Sequence, residues 1–216
     1  MVSLLSVTIH IQEIYPTYFT PASSEVWSKV FYLEAGKTYL VKAASGSGKS
    51  SFFNFLYGLN NKFTGTILFD EKDIASFSET EWTQLRRQKI SIVFQGLRLF
   101  PELTAMENIQ LKNQLTNHKT EAEIRSYLER LDVGHLADKK AETLSYGQQQ
   151  RVAIVRALCQ PFELLLLDEP FSHIDDVQID NATQLILDEI TARNATLVIA
   201  SLGNSYNIDY SKTLLL

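Results

Sequence analysis

The chain has 216 residues, 45% hydrophobic and 21% charged, which suits one domain or a core with an inserted subdomain around a substantial apolar interior. Twenty basic against 25 acidic residues give a net charge of −5, which argues against nucleic acid as the main partner, because neutralising phosphates needs a basic face. Cys159 is the single cysteine, so an intrachain disulfide framework is excluded and a reducing compartment fits.

The opening residues lack a basic region and are interrupted by Ser3, Ser6, Thr8 and His10, so they read as strand rather than signal peptide. No run approaches the roughly 18–20 apolar residues that span a bilayer, so any membrane role is expected to be peripheral, through partner subunits. Residues 7–11 and 26–33 predict strands flanking a loop with Pro16 and Pro21. Gly36 marks a turn before a short buried strand over residues 38–42. A Gly/Ser-rich segment follows, then a helical pattern over residues 50–57 closed by Gly58. Residues 66–69 predict a strand, 78–88 a helix and 90–94 a further strand. From Gly96 to Lys140 the pattern turns to helices with short breaks, including a capping box at Thr104 and Glu107 and helical spacing over residues 121–131. Ser145 with Gln148 starts another helix. Residues 164–167 are wholly apolar, as expected of a central parallel strand. A helix over residues 177–192, a strand over 196–201 and a last strand near Thr213 complete an α/β pattern with a helical insertion.

Two stretches carry chemistry. Ser45-Gly46-Ser47-Gly48-Lys49-Ser50 lies between a predicted strand and helix, the context a phosphate-binding loop requires. Glycines let backbone N–H groups cradle phosphate oxygens, and the helix N-terminus adds a favourable dipole. Lys49 is expected to reach the β- and γ-phosphates, Ser50 to offer its hydroxyl to Mg²⁺, and the adjoining Ser51 to complete the nucleotide contacts. The usual pattern has glycine six residues before the lysine; Ala43 stands there, and a positive φ would cost it about 1 kcal/mol. Asp168-Glu169-Pro170 follows the apolar run, where a buried strand emerges at the ligand-binding edge of an α/β sheet. Asp168 is placed to hold hydrated magnesium and Glu169 to accept a proton from attacking water.

Leu144-Ser145-Tyr146-Gly147-Gln148, continuing Gln-Gln-Arg-Val-Ala-Ile-Val-Arg, closely resembles the LSGGQ signature of ABC transporter ATP-binding subunits. Only Tyr146 departs from that pentapeptide. Physically it is a second anion site, where the Ser145 hydroxyl, the Gly147 N–H and Gln148 at a helix N-terminus can grip a γ-phosphate. The resemblance implies that the grip acts in trans on nucleotide held by another subunit. It also matches Gln95 to the Q-loop residue that binds Mg²⁺ and reports to a membrane partner, and Ser172-His173-Ile174-Asp175 to the D-loop. Leu97, Leu99, Phe100 and Pro101 are expected to line the groove for that partner's coupling helix. Tyr15 and Tyr18 are both candidates for the ring that stacks on adenine. The size and spacing look most like the lipoprotein-releasing, macrolide-exporting and cell-division type.

The implied fold is a P-loop NTPase (RecA-like) α/β core with an inserted helical subdomain at about residues 96–159 and an antiparallel β region near the N-terminus. The implied activity is ATP hydrolysis with Mg²⁺ in a head-to-tail homodimer, or a heterodimer with another such ATPase. It would drive a membrane permease from the inner face of the cell membrane, with Glu169, Lys49 and Gln95 catalytic. One departure is larger. The strand over residues 196–201 should be followed by a histidine that contacts the γ-phosphate, and this chain has Leu202. Losing such a donor costs roughly 100- to 1000-fold in rate, so turnover is expected to be slow unless His173 supplies an imidazole from the opposite subunit. Two other classes stay open: a degenerate module that binds ATP and dimerises without hydrolysing it, and a soluble repair or translation ATPase. The acidic charge and the absence of a coiled-coil insertion disfavour the latter.

Overall fold

The computed structural model describes residues 7–22 and 24–216; residues 1–6 of the opening stretch, read as strand rather than signal peptide, lie outside the described residues. In chain order the first half contains β1 (Ile9–Pro16), β2 (Val30–Leu33), β3 (Thr38–Lys42), α1 (Lys49–Leu56), β4 (Phe63–Phe69), β5 (Lys72–Asp73), α2 (Glu79–Gln88) and β6 (Ile90–Val93). The second half contains α3 (Ala105–Asn113), α4 (Glu121–Arg130), α5 (Tyr146–Leu158), β7 (Leu164–Asp168), α6 (Asp176–Arg193), β8 (Thr196–Ser201) and β9 (Lys212–Leu215).

The strands form two sheets. An antiparallel sheet runs β2-β1-β4-β5, and a parallel sheet runs β6-β7-β8-β3-β9. Both faces of the parallel sheet are covered, which is why β7 and β8 read as unbroken buried runs rather than alternating ones. Leu40, Leu165, Leu167, Leu197 and Ile199 face a layer built on α5 and α6, with Val152, Val155, Leu185 and Ile186. Tyr39, Leu164, Leu166 and Val198 face the opposite way, onto Phe52 and Phe53 of α1 and onto Ile9, Ile11 and Ile67 of the antiparallel sheet. Because β3, β6, β7 and β8 run in one direction, their carboxyl ends share an edge. The phosphate-loop motif, Gln95, Asp168-Glu169 and Leu202 all lie at or just beyond those ends.

Local chemistry agrees with most element boundaries. The capping boxes at Thr104 and Ser145 form as expected, and Ser78 with Glu81 and Thr120 with Glu123 make two more. Each such cap stabilises its helix by about 1 kcal/mol. Residues 26–33 do not form one strand: Ser28 takes a φ of 56°, and β2 begins only at Val30. Val26 and Trp27 are nevertheless buried, and the Trp27 indole N–H donates to the Ser47 carbonyl at 3.2 Å, bracing the glycine-rich loop. No helix among the described residues is long and apolar enough to cross a membrane.

Candidate functional site

The segment between β3 and α1 is wrapped around an ammonium. Lys49 Nζ, with its side chain 7% exposed, lies 3.2 Å from Glu169 Oε1 and donates to the Ala44 carbonyl at 3.3 Å. Ser45, Gly46, Gly48, Lys49, Ser50 and Ser51 line a cavity of about 260 Å³, together with Gln95, Glu169 and Phe19. Ser47 is turned into the loop instead, its hydroxyl donating to the Ala44 carbonyl at 2.8 Å. Gly48 has a φ of 103°, and a Cβ there would lie 2.7 Å from the Phe19 ring and 2.8 Å from Trp27, so glycine is required twice over. The strain expected at Ala43 does not arise. The left-handed positions of the loop are Gly46 and Gly48, whereas Ala43 is buried and its N–H donates to the Ser201 carbonyl of β8 at 3.1 Å.

The two carboxylates at the end of β7 have different partners. Asp168 Oδ2 accepts from the Ser50 hydroxyl at 2.7 Å, while its Oδ1 is buried with no partner. Burial pushes the Asp168 carboxyl above the ordinary range, against the Ser50 hydrogen bond; neighbouring Glu169 adds to the rise and Lys49 opposes it. Glu169 has a φ of 51°, a left-handed conformation uncommon outside glycine, and its N–H donates to the Ala200 carbonyl at 3.0 Å. That backbone geometry accompanies the turn of its side chain onto Lys49.

A second constellation gathers at the N-terminus of α5. Ser145 is exposed and caps the helix, its hydroxyl accepting from Gln148 N–H at 3.3 Å while Gln148 Oε1 accepts from Ser145 N–H at 2.8 Å. A Cβ on Gly147 would lie 2.3 Å from the His173 carbonyl oxygen, so this position is closed to any larger residue. Gln150, 1% exposed, ties the two segments: it accepts from His173 N–H at 3.0 Å and donates to Ser172 Oγ at 3.0 Å and to the Glu169 carbonyl at 3.3 Å. The sequence does not single out Gln150, the last of three consecutive glutamines before Arg151 and the apolar run of α5. Among the described residues lining the phosphate-loop cavity, none comes from this constellation.

Several expected residues fall elsewhere. Tyr15 packs against the α1 side of the core, and Tyr18, 47% exposed, lines a separate surface hollow with Asn54 and Lys62. The ring brought to the phosphate loop is Phe19. Of the residues expected at the partner groove, Leu97 is buried and Leu99 packs against the core. Phe100 alone lines the neighbouring cavity of about 350 Å³, with Tyr57, Phe94, Arg98, Lys112 and Arg156. Leu202 is 54% exposed at the end of β8 and offers no hydrogen-bonding side chain.

Comparison with known proteins gives the family. The family described as ABC transporter matches residues 29–172. The glucose import ATP-binding protein GlcV of Saccharolobus solfataricus is 39% identical over 78% of this chain and 48% of its own length. The lipoprotein-releasing system ATP-binding protein LolD of Myxococcus xanthus is 32% identical over 78% of this chain and 77% of its own. A dimeric post-hydrolysis ATP-binding cassette bound to ADP and Pi superposes with a TM-score of 0.76 at 28% identity, covering 89% of this chain and 87% of that one. The chain spans about half the length of the first curated relatives it matches. It belongs to the ABC transporter family, as an ATP-binding cassette.

Proposed function

We propose, from that membership, that the chain hydrolyses ATP between two head-to-tail copies and drives a membrane permease from the inner face of the cell membrane. The observation that carries this reading is the Lys49–Glu169 pair, 3.2 Å apart and nearly dry, inside a glycine-rich anion cradle. Lys49 is held for an anion, and among the described residues its ion-pair partner is the residue expected to act as base. When the phosphates of ATP take Lys49, the Glu169 carboxylate is released to accept a proton from attacking water.

The residues also fit Mg²⁺. Ser50, Gln95 and Asp168 offer hydroxyl, amide and carboxylate oxygens, the donor set of a hard divalent cation, and the unpartnered Asp168 Oδ1 is a buried acceptor awaiting one. When bound there, the ion supplies charge neutralisation on the β- and γ-phosphates. Phe19 is the stacking ring for adenine. Ser145, Gly147 and Gln148 grip the phosphate of nucleotide held by the second copy, since they lie outside the cavity of their own chain. Turnover is slow, because Leu202 cannot donate where the family has histidine.

The groove around Phe100 suits the membrane partner. Arg98, Lys112 and Arg156 line it without a carboxylate, and burial, with Arg156 and Arg86 nearby, lowers Lys112 to about 8. Lys49→Ala tests the reading: Mg-ATP binding by calorimetry should weaken tenfold or more, from a charge-assisted bond of about 1.5–3 kcal/mol. Unchanged affinity would remove the phosphate-loop assignment.

A further inference from the structure

Tyr146, the residue that departs from the signature pentapeptide, makes a contact that glycine cannot. Its hydroxyl donates to the Gln95 carbonyl oxygen at 2.8 Å, and its ring meets the His173 ring edge-on with centroids 4.5 Å apart. Gln95 lines the phosphate-loop cavity of the same chain. Just beyond it, Leu97 and Arg98 have φ of 54° and 52°, two successive left-handed residues without glycine. Such a stretch persists only where its surroundings hold it.

The holding comes from both ends of α5. Arg156, in the last turn, donates Nη1 to the Arg98 carbonyl at 2.7 Å and Nη2 to the Leu97 carbonyl. Tyr146, in the first turn, takes the Gln95 carbonyl. One 13-residue helix thus clamps the loop at residues 95, 97 and 98. The Arg156 end packs beside the groove and the Tyr146 end beside Ser145 and Gly147.

We propose that Tyr146 is a positioning residue for hydrolysis: its hydroxyl fixes Gln95 in the chain's own ATP cavity and couples that residue to an anion seated at the N-terminus of α5. This rests on the ATPase reading above. Ser145 and Gly147 flank Tyr146 in the chain, so an anion that draws the first turn of α5 moves the phenol with it. Hydrogen bonds weaken steeply with stretching and misalignment, so a displacement under one ångström suffices to grip or release Gln95.

Tyr146→Phe removes only the hydroxyl. Hydrogen exchange of the amides at residues 96–98 should speed up roughly fivefold, the worth of one hydrogen bond, while β6 and the middle of α5 keep their wild-type rates. In steady-state hydrolysis kcat should fall by a similar factor with KM for ATP unchanged, and the effect should vanish in a Gln95→Ala background. Tyr146→Gly should be no faster than Tyr146→Phe. Unaltered exchange at residues 96–98 would overturn the clamp. A kcat loss of equal size with and without Gln95, or a gain in Tyr146→Gly, would overturn the positioning role. If the wild-type protein shows no Lys49-dependent ATP binding, the ATPase reading fails instead, and the exchange rates still decide the clamp.

Discussion

Replacing Glu169 with glutamine should destabilise the empty protein and tighten its grip on ATP. Among the described residues this carboxylate is the one paired with Lys49, and both side chains are nearly dry, at 8% and 7% exposed. Glutamine keeps the shape and an acceptor oxygen, so the loss is the difference between a charge-assisted and a neutral hydrogen bond, about 1–1.5 kcal/mol. For a chain of 216 residues that corresponds to a melting point lower by roughly 2–6 °C. ATP supplies Lys49 with a new anion, so the penalty is confined to the empty state. The thermodynamic cycle then requires nucleotide to bind the variant more tightly by the same free energy, about fivefold to tenfold. Thermal melts with and without Mg-ATP, and a calorimetric titration, read both arms. Equal melting points and equal affinities would refute the reasoning, because they would mean that Lys49 and Glu169 are not paired in solution.

Two further outcomes follow from the same site. Phe19→Ala should weaken ATP binding about fivefold or more, the loss expected of one base-stacking ring, whereas Tyr15→Ala and Tyr18→Ala should change it little; fluorescent-nucleotide titration ranks them. Leu202→His should raise turnover about tenfold by restoring a donor at the end of β8, with His173→Ala nearly neutral. A large loss in His173→Ala with no gain in Leu202→His would instead assign the donor to His173 across the dimer, a role its Nδ1 contact to Ser172 Oγ at 2.9 Å would orient.

Much of this fold was legible because its strands are buried on both faces. The unbroken Leu164-Leu165-Leu166-Leu167 run and the strand before the glycine-rich loop have few other readings. Capping boxes such as Ser145 with Gln148 fixed helix starts to the residue. What stayed hidden was set by long-range contact. A bulge between Gln12 and Tyr15 shifts the register of β1 against β4, and periodicity cannot foresee which aromatic then faces the phosphate loop. Phe19 wins that place through contacts with Trp27 and the loop at Gly48. The break at Ser28 was equally unreadable, since nothing in Val26-Trp27-Ser28-Lys29 announces a positive φ. Ala43 shows the converse: a departure from pattern looked costly in sequence and is harmless, because a hydrogen bond to Ser201, not a left-handed turn, occupies that position.

Assembly around nucleotide is the most direct test. Ser145, Gly147 and Gln148 stand outside their own phosphate-loop cavity, and the proposed function has them complete the site of a second copy. Light scattering of Glu169→Gln at tens of micromolar should report a monomer without nucleotide and a persistent dimer with Mg-ATP, and adding Lys49→Ala should restore the monomer. A monomer with Mg-ATP, under conditions where calorimetry shows the site saturated, would contradict the shared site.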